Sequence, residues 1–375
     1  MTFWFPQKSF LCWPIGRWNW YNKNMKENYG DKKNISIEKF KDLRGTDLSK
    51  EDLRNISVDI LMTTNFDTET KWPSKEKLPA NFSPEVILEN GKNPGLGIKE
   101  LHEQGITGKG INVAIIDQKL DLNHQEYSNN VIGYEEIGKS VKEDISMHGP
   151  AVASIFVGKN CGIAPEAKLH YEANPSAGNS SWDCSSESLN KIIDFNNTAE
   201  EKDKIKVVSY SNGHPNSAFK GNLKNWEKTI EKAKNSGIIF IDVNTFFGSN
   251  FIAGGSSGDN EDIDKYKIWL AVNDKISWFD KINSSWNKKD RIVVPADYRT
   301  VASSVNKSGE YCFYGRGGIS WSIPYLAGLC SLMLQVNKNL KMEEIVKVIQ
   351  DTAFINKDGL KIINPKGAIE SVKNI

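Results

Sequence analysis

Beyond residue 105 the chain alternates short apolar runs with stretches of helical spacing. The runs INVAIID (111–117), AKLHYEA (167–173), KVVSYSN (206–212), GIIFIDVN (237–244) and KIWLAVN (267–273) are short and rich in β-branched residues, which predicts strands buried on both faces. Between them, GPAVASIFVGK (149–159), SESLNKIIDFNN (186–197) and LKNWEKTIEKAKNSG (223–237) carry apolar residues at helical spacing, the last closing on Gly237 as a C-cap. A further helix, opening at Ser320 and running through SIPYLAGLCSLMLQV, is apolar on nearly every side, which predicts a buried central helix. Alternation of this kind implies an α/β fold, doubly wound, with a mostly parallel sheet and helices on both faces. In such folds the working residues collect beyond the carboxyl ends of the strands.

Upstream the pattern changes. DLRGT DLSKE DLRNI SVDIL (42–61) repeats every five residues, with Leu43, Leu48, Leu53 and Val58 in equivalent places. It resembles a pentapeptide repeat, whose form is a right-handed β-helix, and FDTETKWP after it resembles the end of one. Only about four units are present, and each would bury its apolar side only against its neighbours, so a short amphipathic segment docked on the main domain is an equal reading. The prolines at 73, 79, 84 and 94 mark a connector. The expected organisation is a Trp-rich N-terminal segment (1–24), a repeat-like accessory segment (25–73), a connector (74–104) and a main domain (105–375).

Composition narrows the class. With 375 residues, 39% hydrophobic and 25% charged, the chain suits a soluble globular protein. A formal net charge of +1 supplies no basic field for nucleic acid or an anionic membrane, so neither is expected as a partner. Cys12, Cys161, Cys184, Cys312 and Cys330 are odd in number, scattered and free of any CxxC pair, which suits reduced thiols and a cytoplasmic location. The first 30 residues hold four tryptophans without the charged and apolar regions of a secretory signal; their aromatic content leaves open a resting place at a membrane interface, or a start at Met25. No HExxH is present and the five histidines do not cluster at ligand spacing, so no metal or cofactor is expected; SSGDNEDID (256–264) is the best candidate for structural calcium and reads as a solvated loop.

Three residue types carry candidate chemistry. Asp117 ends the first strand and His148 stands in SMHGPAVAS at the start of a helix, although each taken alone reads more readily as structural. Ser320 stands in GGISWSIPYLAG, where glycines allow close approach and the start of a helix directs N–H groups at a developing oxyanion. A lipase-type elbow is only partly met, because Ser322 holds its last glycine position, and no histidine follows His214. The order Asp, His, Ser on a parallel α/β sheet is the one left, and it is the subtilisin arrangement.

These motifs resemble the subtilisin-like serine peptidases of the S8 or subtilase family. GKGINVAIIDQKLDLNHQEY is similar to the family's aspartate motif, with Asp121 and His124 as companions of Asp117; HGPAVAS resembles its histidine motif, with Ala151 where a second histidine commonly stands; and GISWSIPYLAG matches its serine motif at Gly318, Ser320, Pro324, Ala327 and Gly328. The resemblance implies a serine endopeptidase acting on peptides or proteins, with Asp117, His148 and Ser320 as its triad. It also implies that Ser211, Asn212 and Gly213 pair with an extended substrate. The sequence departs from the family at Lys119 and Ser154, where glycines are usual, and at the oxyanion asparagine, whose position counts to Phe246; Asn244 is the candidate donor, Asn250 an alternative, or backbone groups serve alone. Bulky Trp321 and Tyr325 beside the serine point to an altered site and narrow specificity. The rival reading is a weakened peptidase fold kept as a binding or regulatory module.

Overall fold

The structure, a computed structural model, describes residues 37–176, 179–212, 220–243, 251–254, 261–266, 291–304 and 309–375. The Trp-rich segment, the KIWLAVN run and Asn244 lie outside the described residues. At the N-terminal end the five-residue rhythm becomes a coil. Each step turns the chain, with Thr46 N–H donating to Leu43 O, Glu51 to Leu48 and Ile56 to Leu53 at 2.9–3.0 Å. The next pass of the chain runs alongside, so that Leu43, Leu48 and Leu53 donate to the carbonyls of Asn65, Lys71 and Lys77. The three leucines therefore point into one apolar cluster with Leu61, Phe66, Phe82 and Phe313. The short helix α1 (Val58–Met62) and strand β1 (Asn65–Asp67) complete this part.

The connector is packed rather than extended. It holds α2 (Pro84–Asn90), opened by a proline at its first turn, and α3 (Ile98–Glu103). The main sheet follows, built from β2 (Asn112–Asp117), β3 (Val131–Glu136), β4 (Lys168–Ala173), β5 (Ile205–Tyr210) and β6 (Ile239–Asp242). Their order is β3-β4-β2-β5-β6, and every pairing is parallel. Between the strands run α4 (His148–Val157), α5 (Trp182–Thr198) and α6 (Leu223–Asn235). The helix α5 begins four residues earlier than its apolar spacing predicts, because the Ser181 side chain accepts from Cys184 N–H and caps it there. Gly237, at φ +84°, follows the C-cap Ser236 of α6.

Alternate residues of β2 show why the sheet is covered twice. Val113 and Ile115 join a cluster with α4, whereas Ala114 and Ile116 join a cluster with Leu189, Ile192 and Trp226 of α5 and α6. Beyond the sheet, β7 (Phe251–Gly254) and β8 (Ile292–Pro295) pair in parallel, and β9 (Arg299–Ser303) pairs antiparallel with β10 (Glu310–Tyr314), which in turn takes β1 on its other side. The 18-residue α7 (Ile319–Val336) is long and apolar enough to cross a membrane by length and composition, but 78% of it is buried in the core. The chain ends with α8 (Met342–Thr352), strands β11 (Phe354–Ile355) and β12 (Lys361–Ile362), and α9 (Pro365–Val372).

Candidate active site

Asp117 is the last residue of β2, His148 the first of α4, and Ser211 follows the last residue of β5, the strand paired to β2. All three therefore gather beyond the carboxyl ends of neighbouring parallel strands. His148 Nδ1 lies 2.6 Å from Asp117 Oδ1, which also accepts Gln118 N–H at 2.8 Å. The pair is well shielded: the side chains are 14% and 6% exposed. Gly149 makes this approach possible. A Cβ there would stand 2.4 Å from Gln118 O and 2.7 Å from the Tyr171 hydroxyl, so only glycine lets α4 begin against the end of β2.

Ser320 is the second residue of α7 and is half-buried. Pro324, four residues on, has no N–H to give the Ser320 carbonyl, which an unbroken helix would require. That freed carbonyl accepts the Ser211 hydroxyl at 3.0 Å, fastening the start of α7 to the end of β5. Ser322 is spent differently, its hydroxyl donating to the carbonyls of Val294 and Pro295 at 3.1 Å each. The loop before Ser320 is equally confined, since a Cβ on Gly317 would lie 1.8 Å from Ala296 O. Gly317 N–H donates to the buried Asp297 at 2.5 Å. Burial pushes the Asp297 carboxyl up to about 8, against the lowering effect of that hydrogen bond and of Arg316 and Arg299.

The Trp321 ring joins the parts, lying 5.4 Å from the His148 ring and 5.3 Å edge-to-face from Tyr314. Tyr325 does not belong to the site as expected: one further turn into α7, it is fully buried with the Arg299 guanidinium 5.3 Å over its ring. His124 and Asp121 are buried supports. His124 Nε2 meets Glu310 O at 2.8 Å, and Asp121 accepts Asn123 N–H. The two departures in the glycine positions have uses of their own. Lys119 pairs with Glu136 at 3.1 Å, and Ser154 Oγ accepts Ala302 N–H at 2.9 Å, tying α4 to β9. Asn212 is half-buried, and its carbonyl accepts Val243 N–H at 2.9 Å. Gly213 and Asn244 lie outside the described residues. Among the described residues no hydrogen bond links His148 to Ser320, and no three His, Cys, Asp or Glu side chains converge as metal ligands. Asp297 was not legible in the sequence, where VVPADY offers only a loop aspartate.

With the order Asp, His, Ser along a parallel α/β sheet, this layout defines the subtilisin-like class of fold. The chain belongs to the subtilase family (peptidase S8), whose model matches residues 108–372. It is similar to Subtilisin NAT of Bacillus subtilis subsp. natto, at 26% identity over 270 residues, which are 68% of this chain and 63% of that protein. The match thus spans less than two thirds of that relative's length. It is also similar to the major intracellular serine protease of Bacillus subtilis (strain 168), at 23% identity over 258 residues, 62% of this chain and 71% of that one. Among solved structures, the prenylagaramide maturation protease PagA superposes with a TM-score of 0.52 at 18% identity, covering 74% of this chain and 99% of that one, a likeness of fold. The family is one of serine peptidases, whose substrates are peptides and proteins.

Proposed function

We propose that this protein is a serine endopeptidase in which Ser320 attacks the peptide carbonyl, His148 moves the proton and Asp117 orients the imidazole. The observation that carries this reading is the 2.6 Å contact of His148 Nδ1 with Asp117 at the carboxyl end of the sheet. An acceptor oxygen at Nδ1 fixes the proton there and leaves Nε2 as the free base. Nε2 takes the Ser320 proton as the acyl-enzyme forms and returns it to the leaving amine. A second turn through water releases the acid. The dipole of α7, whose N-terminus lies at Ser320, favours negative charge beside that residue. Serine proteases do not require the base-to-serine bond to be short before substrate arrives, since such contacts tighten in the substrate complex.

Substrate lies extended along Ser211, Asn212 and Gly213 in this account, adding a strand to the sheet. The bulk of Trp321 against His148 is the ground for narrow specificity. Asn244 is the candidate side-chain donor to the oxyanion. Without such a donor kcat falls on the order of 10²–10³, as in the subtilisin example from which that figure comes. The scattered free thiols are the ground for placing the protein in the cytoplasm. The second reading, a binding module on the same fold, draws on the fact that among the described residues no hydrogen bond links His148 to Ser320.

A library of peptides from a digested proteome, incubated with the protein and read for new termini, separates the two. The peptidase reading predicts cleavage sites with a shared sequence preference that vanish in Ser320→Ala. No new termini from the wild type, with unchanged peptides retained on the protein, favours the binding module.

A further inference from the structure

Arg44 is held unusually well for a residue so far from the site in sequence. Asp42 grips it from one side, with Nη2 at 2.6 Å from Oδ2 and Nε at 2.9 Å from Oδ1. The remaining Nη1 donates to the Tyr314 hydroxyl at 3.0 Å. That hydroxyl in turn donates to Met147 Sδ at 3.7 Å, and Met147 is the residue before His148. The Tyr314 ring stands edge-on against Trp321, and Trp321 against the His148 ring. The backbone makes the same connection, because Asn65 of β1 pairs with Tyr314 and Thr64 O accepts Gly315 N–H at 3.1 Å, bounding the strand that runs into the Ser320 loop. The apolar face agrees too, since Phe313 of β10 sits in the cluster of the coil leucines.

We propose that Arg44 is a positioning residue for the catalytic pair, acting through Tyr314 on both Met147–His148 and Trp321–Ser320, so that the N-terminal coil is a permanent part of the catalytic scaffold. The inference rests on the peptidase reading for what is positioned. The geometry also supplies its own control. Arg54, ten residues on, makes the same grip with Asp52 at 2.6 Å, but it is 62% exposed and among the described residues its partner is Asp52 alone. Loss of Arg44 and loss of Arg54 therefore remove the same local pair, and only the first cuts the path to Tyr314.

The test uses the full chain carrying ¹³C-labelled histidine, with the His148 ring signal assigned by its loss in His148→Gln, and a fluorophosphonate probe as the second readout. Arg44→Ala is expected to shift the His148 signal and to slow phosphonylation at saturating probe roughly tenfold, leaving the probe concentration for half-maximal rate within about twofold. Arg54→Ala should change neither. Tyr314→Phe keeps the ring packing and removes only the shared hydroxyl; it is expected to reproduce Arg44→Ala, and the double variant to be no worse than either single one. A His148 signal equally unmoved in Arg44→Ala and Arg54→Ala overturns the inference, as does additivity in the double variant. A wild type that never reacts with the probe, but whose His148 signal moves in Arg44→Ala and not Arg54→Ala, keeps the positioning path and overturns the nucleophile assignment.

Discussion

Asp297 gives the sharpest quantitative prediction. It is 1% exposed, its Oδ1 accepts Gly317 N–H, and among the described residues its Oδ2 has no hydrogen-bond partner. Burial outweighs Arg316 and Arg299 and raises the carboxyl from the usual 3.8 to about 8. The folded protein thus keeps a proton on Asp297 through a window in which the unfolded chain has released it. Stability from this group is fully present below about pH 4, declines as pH rises toward 8 and is level above it. Raising the carboxyl from 3.8 to about 8 is worth on the order of 5 kcal/mol across the window, at about 1.4 kcal/mol per pH unit. Asp297→Asn keeps an oxygen for Gly317 N–H and never ionises. Denaturant unfolding of both proteins at about pH 5 and about pH 8.5, read as a difference so that other titrating groups cancel, isolates the effect. The Asn variant should gain several kcal/mol on the wild type between those two conditions. A difference that stays constant with pH refutes the burial argument.

Asp117→Asn preserves the shape at Oδ1 but not the charge, and kcat in a peptide-cleavage assay is expected to fall about 10⁴-fold, as for the corresponding aspartate in the chymotrypsin-type triad. Ser322→Ala removes a hydroxyl bonded to two buried carbonyls, so it should lower stability by about 1–3 kcal/mol in a denaturant titration while leaving Ser320 reactive. Leu48→Ala opens a cavity at a fully buried position in the coil cluster that Phe313 shares, and should lower the unfolding free energy of the whole chain by about 2–5 kcal/mol in one transition. A separate early transition in that variant would mean that the coil folds apart from the main domain.

Much of the fold was legible because its signals are local. The four described strands of the main sheet that sequence predicted show as short β-branched runs, and their boundaries hold to within one or two residues. The motifs around Asp117, His148 and Ser320 were legible for a related reason. Their glycines and proline stand in short fixed patterns, even though the backbone oxygens that Gly149 and Gly317 face, those of Gln118 and Ala296, come from other elements. What was not legible depends on partners distant in sequence. Tyr325 reads as a neighbour of Ser320, yet five helical positions turn it toward Arg299 and the core. Nothing around Asp297 announces that Gly317 will meet it in a dry site. The five-residue rhythm of the coil was plain, but its contact with Tyr314 spans 270 positions.

The proposed peptidase activity requires Ser320 to be an activated nucleophile. Intact mass measurement of the protein after exposure to a fluorophosphonate probe, followed by peptide mapping, tests it without knowledge of the substrate. A single adduct on Ser320 is expected, absent from Ser320→Ala and His148→Ala and retained in Ser322→Ala. A folded protein that takes up no adduct, or one modified at another serine, contradicts it.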